Sequence, residues 1–425
     1  MYIERLHVRN IRLLADQEFS FLNADGSPRL WTVLVGENGM CKSTVLQAIA
    51  LAAMGPKLGS ALIQNAQRLR NLNSSEAASI TAHLRFPPNG GVVSSLKIEP
   101  DRFDLIPGEN LSEAARLDDF RARRQSGGFV VGYGVVRFLP EPGETALPQD
   151  PFVDRVRGLF NLRHKMLGIQ FFNAFRLQDM PFARKYWDSL RQILETEESG
   201  ERLLPGFSGM DLDPDDERPH PMPESNRFEL QLGGQWLKLP ATWLSDGYQA
   251  MLSWVADLLG HAFLESGENT DPRELQGIVL LDEIDLHLHP RWQRRIVPLL
   301  RRIFPKLQFI VNTQSPLVLS GFEREEIILL KMRDGQVVQD PAEIEPGVLT
   351  ASEILTSFFD VQRAGRPDLV SKERRYLELR ALENPDESDK RRIKELEEEL
   401  DPYWTSPASS PVALLSPEEI LKRKT

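Results

Sequence analysis

Gly36-Glu37-Asn38-Gly39-Met40-Cys41-Lys42-Ser43 follows an apolar run of strand length, Leu30 to Val35, and opens a stretch of helical composition, Ser43 to Met54. A strand, a glycine-bearing loop and a helix, in that order, are the context a phosphate-binding Walker A loop requires. Backbone N–H groups of the loop and of the helix start converge on an anion. A lysine placed like Lys42 reaches the β- and γ-phosphates, and a hydroxyl placed like Ser43 is a magnesium ligand. Gly36, Asn38, Gly39, Cys41 and Thr44 complete the set of loop residues expected at a nucleotide. One position departs from the pattern: Cys41 stands where glycine normally precedes the lysine. A side chain there either crowds the phosphates or resists the backbone angles the loop needs. The alternative reading is a loop that no longer holds nucleotide.

Far downstream, Ile278-Val279-Leu280-Leu281-Asp282-Glu283 is an apolar strand ending in two acids, the Walker B pattern. A strand of this kind delivers its acids to the carboxyl edge of an open α/β sheet, where ligands sit. Asp282 is the expected magnesium ligand. Glu283 is the expected general base, orienting and polarising the attacking water. Taken alone, the pair also fits a strand that ends at two surface acids.

Between the two motifs lies Leu244-Ser245-Asp246-Gly247-Tyr248-Gln249, after a hairpin and before an apolar helix. It resembles the LSGGQ-type signature of ABC ATPases, although an ordinary helix N-cap is the plainer reading of so short a motif. The order Walker A, long insertion, signature, Walker B resembles the SMC, RecF and OLD-like branch of the ABC superfamily. The opening Tyr2 to Arg12 is similar to that branch's first strand, Ile284 to Pro290 to its D-loop, and Tyr133-Gly134-Val135-Val136-Arg137 to a stretch found before its insertion. Compact bacterial ATPases of anti-phage systems, the PtuA-like ATPases of Septu and of some retrons, look most similar.

The resemblance implies a mixed α/β ABC-type head with a P-loop, a helical insertion and a helical C-terminal tail. It implies a homodimer binding ATP and Mg²⁺, in which Ser245 and Gly247 of one subunit meet the γ-phosphate held by the other. Arg12 becomes a candidate nucleotide contact. Thr313-Gln314-Ser315-Pro316 occupies the place of a Thr-His-Ser-Pro switch, with Gln314 for histidine. Gln314 can hydrogen-bond a phosphate or water but cannot shuttle a proton, which suits slow hydrolysis. Such ATPases control a separate effector, an HNH or TOPRIM nuclease or a retron component. The rival function is a RecF-like DNA repair ATPase acting on DNA directly. A third reading is a scaffold that holds ATP permanently.

Composition sets broader bounds. With 425 residues the chain has room for one large domain with insertions, or for two. One cysteine rules out a disulfide framework and fits a reducing compartment. No apolar run reads as membrane-spanning and no signal core opens the chain, so a cytoplasmic protein without membrane contact is expected. A net charge of −11 argues mildly against a nucleic-acid binder, but not against a local basic groove.

Four segments are expected: a head part over 1–60, an insertion over 61–226 with an exposed loop at 201–226, a second head part over 227–345, and a helical tail over 346–425. Long helices are expected at Phe152 to Glu198 and Lys372 to Leu400, a shorter one at Asp118 to Arg124, and a strand at Gly128 to Phe138. Residues 405–416 read as loose. Three basic clusters stand out: Arg291, Arg294, Arg295, Arg301, Arg302 and Lys306; Arg121, Arg123 and Arg124; Arg155, Arg157, Arg163 and Lys165. Solvated or paired side chains explain such clusters, and a DNA or RNA track is the functional alternative. Asp285, His287 and His289 could suggest a metal site, which the D-loop resemblance explains better. Asp211, Asp213, Asp215 and Asp216 lie in a Pro-rich loop unsuited to a nuclease centre, and no nuclease motif is present.

Overall fold

A computed structural model describes residues 1–63, 65–86, 90–108, 128–137, 139, 147–148, 150–211, 227–361, 367–382 and 386–404. Their contacts divide the chain into two units, Met1–Ile354 and Leu355–Thr425.

The first unit opens with a hairpin, β1 (Tyr2–Ile11) and β2 (Leu14–Ser20), followed by β3 (Trp31–Val35), which runs into the P-loop helix, Lys42–Leu62. Next come β4 (Ala78–Phe86), β5 (Gly90–Ile98), β6 (Ile106–Pro107) and β7 (Val130–Tyr133). Three helices, Pro151–Arg157, Gln170–Leu177 and Ala183–Glu195, lead to the short pair β8 (Glu197–Glu198) and β9 (Glu201–Arg202). Then come β10 (Phe207–Asp211), β11 (Arg227–Leu232) and β12 (Gln235–Pro240), and the signature helix, Asp246–Ser266. β13 (Gly277–Leu281), β14 (Leu307–Asn312), β15 (Ile327–Arg333) and β16 (Gln336–Asp340) complete the head.

Two sheets dominate. One has the order β16-β15-β3-β14-β13-β7 and is parallel except for the edge strand β16. The other is antiparallel, in the order β2-β1-β4-β5-β6. β3, β13 and β14 are buried along their whole length, as expected for parallel strands covered on both faces. The P-loop helix lies in the apolar cluster the sheets share, where Val45, Leu46, Ile49 and Leu51 meet Ile3, Leu6 and Ile80 of one sheet and Leu34, Ile278 and Ile310 of the other. Burial of one such aliphatic side chain stabilises by about 1.5–3 kcal/mol, so this helix anchors the head. A buried amide also ties the sheets: Gln308 Nε2 donates to Ile3 O (2.9 Å), and Ile3 N donates to Gln308 Oε1 (2.7 Å).

Several expectations are corrected. The P-loop helix is, by length and composition, apolar enough to cross a membrane, contrary to the reading of the sequence; two-thirds of its apolar window is buried in the head. Its apolar residues point to both sheets, and the helix kinks at Gly55 (φ 71°), before Pro56. The long helix expected over Phe152 to Glu198 is three helices, because Gly158 ends the first, Gly168 takes a positive φ (52°) ahead of the second, and Pro181 precedes the third. The strand expected over Gly128 to Phe138 is only Val130–Tyr133. The exposed loop over 201–226 contains β9 and β10, since Phe207 and Met210 pair with Leu230 and Phe228 of β11. The helical stripe from Trp292 to Ile303 is two helices, Pro290–Gln293 and Ile296–Ile303. The segments 118–124 and 405–416, the arginines at 121, 123 and 124, and the aspartates at 213, 215 and 216 lie outside the described residues.

In the second unit, helices Pro367–Arg380 and Glu387–Trp404 divide the single tail helix expected. They pair through Tyr376, Leu379, Leu396 and Leu400, with a Lys372–Glu399 ion pair (2.6 Å).

Candidate functional site

The loop between β3 and its helix is shaped by two glycines. A Cβ on Gly36 would stand 2.5 Å from Leu330 O of β15, and Gly39 takes φ 87° over open space. Cys41 adopts a left-handed conformation (φ 58°, ψ 17°) without capping the helix through its side chain. Its thiol is buried among apolar neighbours, and the cavity beside Lys42 stays open. The Cys41 side chain therefore does not fill the cavity, although the residue lines it. The backbone angles are the strained ones.

That cavity measures about 270 Å³ and sits at the carboxyl edge of the parallel sheet. Arg12, Asn38, Gly39, Cys41, Lys42, Ser43 and Thr44 line it on one side, and Asp282, Glu283, Asn312 and Gln314 on the other. The Lys42 ammonium donates to Gly36 O (2.6 Å) and Glu37 O (2.8 Å), which fixes it across the loop. Burial pushes this ammonium below its ordinary pKa, while the carboxylates of Asp282, Glu283, Asp285 and Glu37 hold it up. Ser43 Oγ donates to Asp282 Oδ1 (2.9 Å), joining the start of the P-loop helix to the end of β13. Arg12 has φ 49° and reaches Thr44 Oγ1 (2.9 Å). Gln314 Nε2 donates to Asn38 Oδ1 (2.9 Å), which links the segment after β14 to the loop.

Glu283 follows Asp282 in a left-handed conformation (φ 50°) that is held from both ends. Its N–H donates to Asn312 Oδ1 (2.7 Å), and its carbonyl accepts from Arg137 Nη2 (2.8 Å). Asn312 also bonds Asp282 Oδ1 through its amide nitrogen. Arg137, 3% exposed, donates in addition to Asp282 O and, through Nε, to Gly134 O (2.8 Å). Burial lowers the guanidinium to a pKa of about 10, against the pull of Asp282, Asp285 and Glu283. The Glu283 carboxyl is raised above its ordinary value, by burial first and by Asp282 and Asp285 next.

The signature segment lies apart. Ser245 and Asp246 are exposed, and Ser245 occupies the N-cap position of its helix without a side-chain capping bond. Gly247 is required where it stands, because a Cβ would come 2.6 Å from His287 O. Neither Ser245 nor Gly247 lines the cavity of its own chain.

Sequence reasoning missed Asn312 and gave Arg137 no part in the site. The signal for Asn312 was present: a polar residue closes the apolar strand next to Walker B. For Arg137 only the pairing of β7 with β13 brings the residue under the two acids, and no local pattern encodes that pairing.

The other signals have ordinary partners. Thr313 Oγ1 donates to Asp285 Oδ1 (2.5 Å), and His289 Nδ1 accepts from Arg291 N (3.3 Å). Arg301 pairs with Glu326, Arg302 with Glu198 and Lys306 with Glu274, so half of this basic cluster is neutralised. Arg155 is buried against Phe129 and Phe152 and pairs with Glu265 (2.6 Å).

A family model described as "AAA domain, putative AbiEii toxin, Type IV TA system" matches residues 31–320. The Septu protein PtuA of Bacillus mycoides (strain KBAB4) is 27% identical over 409 residues, 95% of this chain and 51% of that protein. A retron Ec83 probable ATPase of Escherichia coli is 33% identical over 170 residues, 40% of this chain and 29% of its own length. The chain thus spans about half the length of these relatives or less. A solved Smc head, bound to the C-winged helix domain of ScpA, matches with a TM-score of 0.50 and 19% identity over 81% of this chain and 98% of that one. The fold is that of an SMC-type ATPase head.

Proposed function

The chain belongs to this AAA-domain family, and from that premise and the geometry of the cavity we propose that it binds and hydrolyses ATP as a two-headed switch. The convergence of Lys42, Ser43, Asp282 and Glu283 on one cavity carries the proposal. Loop N–H groups and Lys42 hold the phosphates, with Asn38 and Arg12 at the rim. Ser43 and Asp282, two hard oxygen donors already in contact, fit magnesium and would hold it. The ion would neutralise charge on the phosphates. Glu283 accepts the proton of the attacking water, and its raised pKa suits a base. Gln314, tethered to Asn38, orients water or phosphate without taking a proton.

The exposed N-terminus of the signature helix supports the second half of the reading. Ser245 and Gly247 of one copy close the site of another, presenting a helix start to the γ-phosphate. ATP draws two heads together and hydrolysis releases them. The output is control of a separate effector, and the relatives named Septu PtuA and retron ATPase support a setting in phage defence. Phosphate release from ATP and Mg²⁺ tests the chemistry. Lys42→Ala should lose nucleotide binding, and Glu283→Gln should bind ATP normally while hydrolysis falls at least about a hundredfold. Turnover unchanged in Glu283→Gln would refute the assignment.

A further inference from the structure

A buried carboxylate in the middle of the signature helix takes no part in the cavity beside Lys42. Asp257 is 4% exposed, and its oxygens meet donors from other elements. Leu167 N (3.1 Å) and Gly168 N (3.3 Å), in the segment before helix Gln170–Leu177, donate to Oδ1. The Tyr133 hydroxyl, at the end of β7, donates to Oδ2 (3.3 Å). On the signature helix itself, His261 Nε2 lies 3.4 Å from the same oxygen. A carboxylate taken out of water needs such partners. Support of the fold does not by itself account for the arrangement, because apolar side chains of similar volume join packed elements at least as well. What sets the cluster apart is Tyr133, which is held at both ends. Its hydroxyl bonds Asp257, and its ring centroid lies 6.0 Å from that of Trp254 on the same helix. Its carbonyl accepts from Asp282 N (2.9 Å), at the end of β13. The next carbonyl, Gly134 O, accepts from Arg137, which also holds the carbonyls of Asp282 and Glu283.

We propose that Asp257 and Tyr133 are positioning residues for hydrolysis, which pass the seating of the signature helix to Asp282 and Glu283 of the same chain. The path runs from carboxylate to phenol, from the Tyr133 carbonyl to Asp282 N, and through Arg137 to Glu283. The helix that starts at Ser245 thereby bears on the acids of its own head. Neither Asp257 nor Tyr133 lines the nucleotide cavity, so breaking their bond should slow turnover and spare ATP binding. Lying between two places is not yet coupling, and a bond shared by two residues shows itself when their losses fail to add. The proposal rests on the ATPase reading, but the link itself is also measurable without turnover.

The test uses the full chain as wild type, Tyr133→Phe, Asp257→Asn and the double variant, with Tyr186→Phe as the control. Tyr133→Phe removes only the hydroxyl. Asp257→Asn keeps an oxygen for the two backbone N–H groups but turns an amide donor toward the phenol. Tyr186 is equally buried, and its hydroxyl bonds Gly168 O (3.2 Å) and Ala256 O (3.1 Å), off the path. For each protein kcat, the Kd for a fluorescent ATP analogue and amide hydrogen exchange over residues 278–284 are measured. Tyr133→Phe and Asp257→Asn should each lower kcat about fivefold or more at unchanged Kd, and the double variant should lose no more than the worse single one. Exchange at Asp282 and Glu283 should quicken in all three, while Tyr186→Phe matches wild type in kcat and in exchange. Wild-type kcat and exchange in Tyr133→Phe overturn the proposal. Losses that multiply in the double variant overturn it too, because they mean two independent effects. Equal loss in Tyr186→Phe, or ATP affinity falling in step with kcat, would mean that the cluster only supports the fold, and also overturns it. If wild type releases no phosphate, the ATPase reading falls by itself, and exchange over 278–284 still decides whether helix and acids are linked.

Discussion

Cys41 occupies a backbone conformation that costs an L-residue roughly 1–2 kcal/mol, yet it stands in the middle of the phosphate loop. Burial of its thiol among apolar neighbours offsets part of that cost. Cys41→Gly removes both terms, so stability should move little, while the phosphates gain room and ATP binding tightens or holds. Cys41→Val puts a β-branched residue where φ is positive and should destabilise and weaken ATP binding. Thermal melts and nucleotide titration compare the three proteins; weaker binding by the glycine variant would mean that the thiol itself contacts nucleotide. Glu283 yields a second expectation. A base works only when deprotonated, so turnover falls as pH drops through its pKa. Burial raises that pKa, which lifts the acidic limb above the ordinary value of about 4.3. The pH profile of kcat should show this limb in wild type and lack it in the residual activity of Glu283→Gln. Lys42, Ser43, Asp282 and Glu283 were legible in the sequence because each ends or begins a strongly patterned element. Asn312 was harder to find, because one polar residue at a strand end has many causes, and its bonds to both acids appear only once β13 and β14 lie side by side.

Three parallel strands deliver the site: β3 brings the loop, β13 the acids and β14 Asn312, and β7 stiffens the edge from outside. Their mostly apolar character made them readable as buried strands. The order in which they pair was not readable, because sequence neighbours are not sheet neighbours here; β3 pairs with β14 and β15, from the far end of the head. The same non-local pairing places Arg137, which leaves β7 and turns under the ends of β13. Its guanidinium satisfies three carbonyls, those of Gly134 and Asp282 in buried bonds and that of Glu283 in a half-buried one, and secures the strained backbone of Glu283. Arg137→Met strands those carbonyls, each at about 1–3 kcal/mol, and frees Glu283 to relax. The expected result is a loss of kcat of about tenfold or more with the Kd for ATP nearly unchanged, and partial recovery in Arg137→Lys. Parallel loss of ATP affinity and kcat would instead mean that Arg137 merely supports the fold. The insertion was read poorly for a related reason: its helices are short, the first ended by Gly158 and the second preceded by Gly168, and periodicity over Phe152 to Glu198 could not show where one stopped.

At the scale of the whole molecule, the proposed two-headed site turns on the separation of the signature segment from the cavity beside Lys42. Lys42, Ser43, Asp282 and Glu283 share a cavity, while Ser245, on an exposed helix start, does not line it. A head that completes its site with a second copy obeys a rule that a self-sufficient head does not: defects in the two halves must complement. Lys42→Ala destroys the loop but leaves the signature whole, and Ser245→Arg blocks the signature but leaves the loop whole. Each variant alone should be inactive. In an isologous pair formed from one of each, the Ser245→Arg loop faces the Lys42→Ala signature, and one complete site results. Random pairing of equal amounts makes about half the pairs mixed, each with one working site of two, so hydrolysis should return to about a quarter of wild type. The double variant Lys42→Ala/Ser245→Arg mixed with either single variant sets the control, because no pair in those mixtures contains a complete site. Activity of Ser245→Arg by itself, or failure of the two single variants to rescue each other while both still pair with wild type, would show that each head works alone.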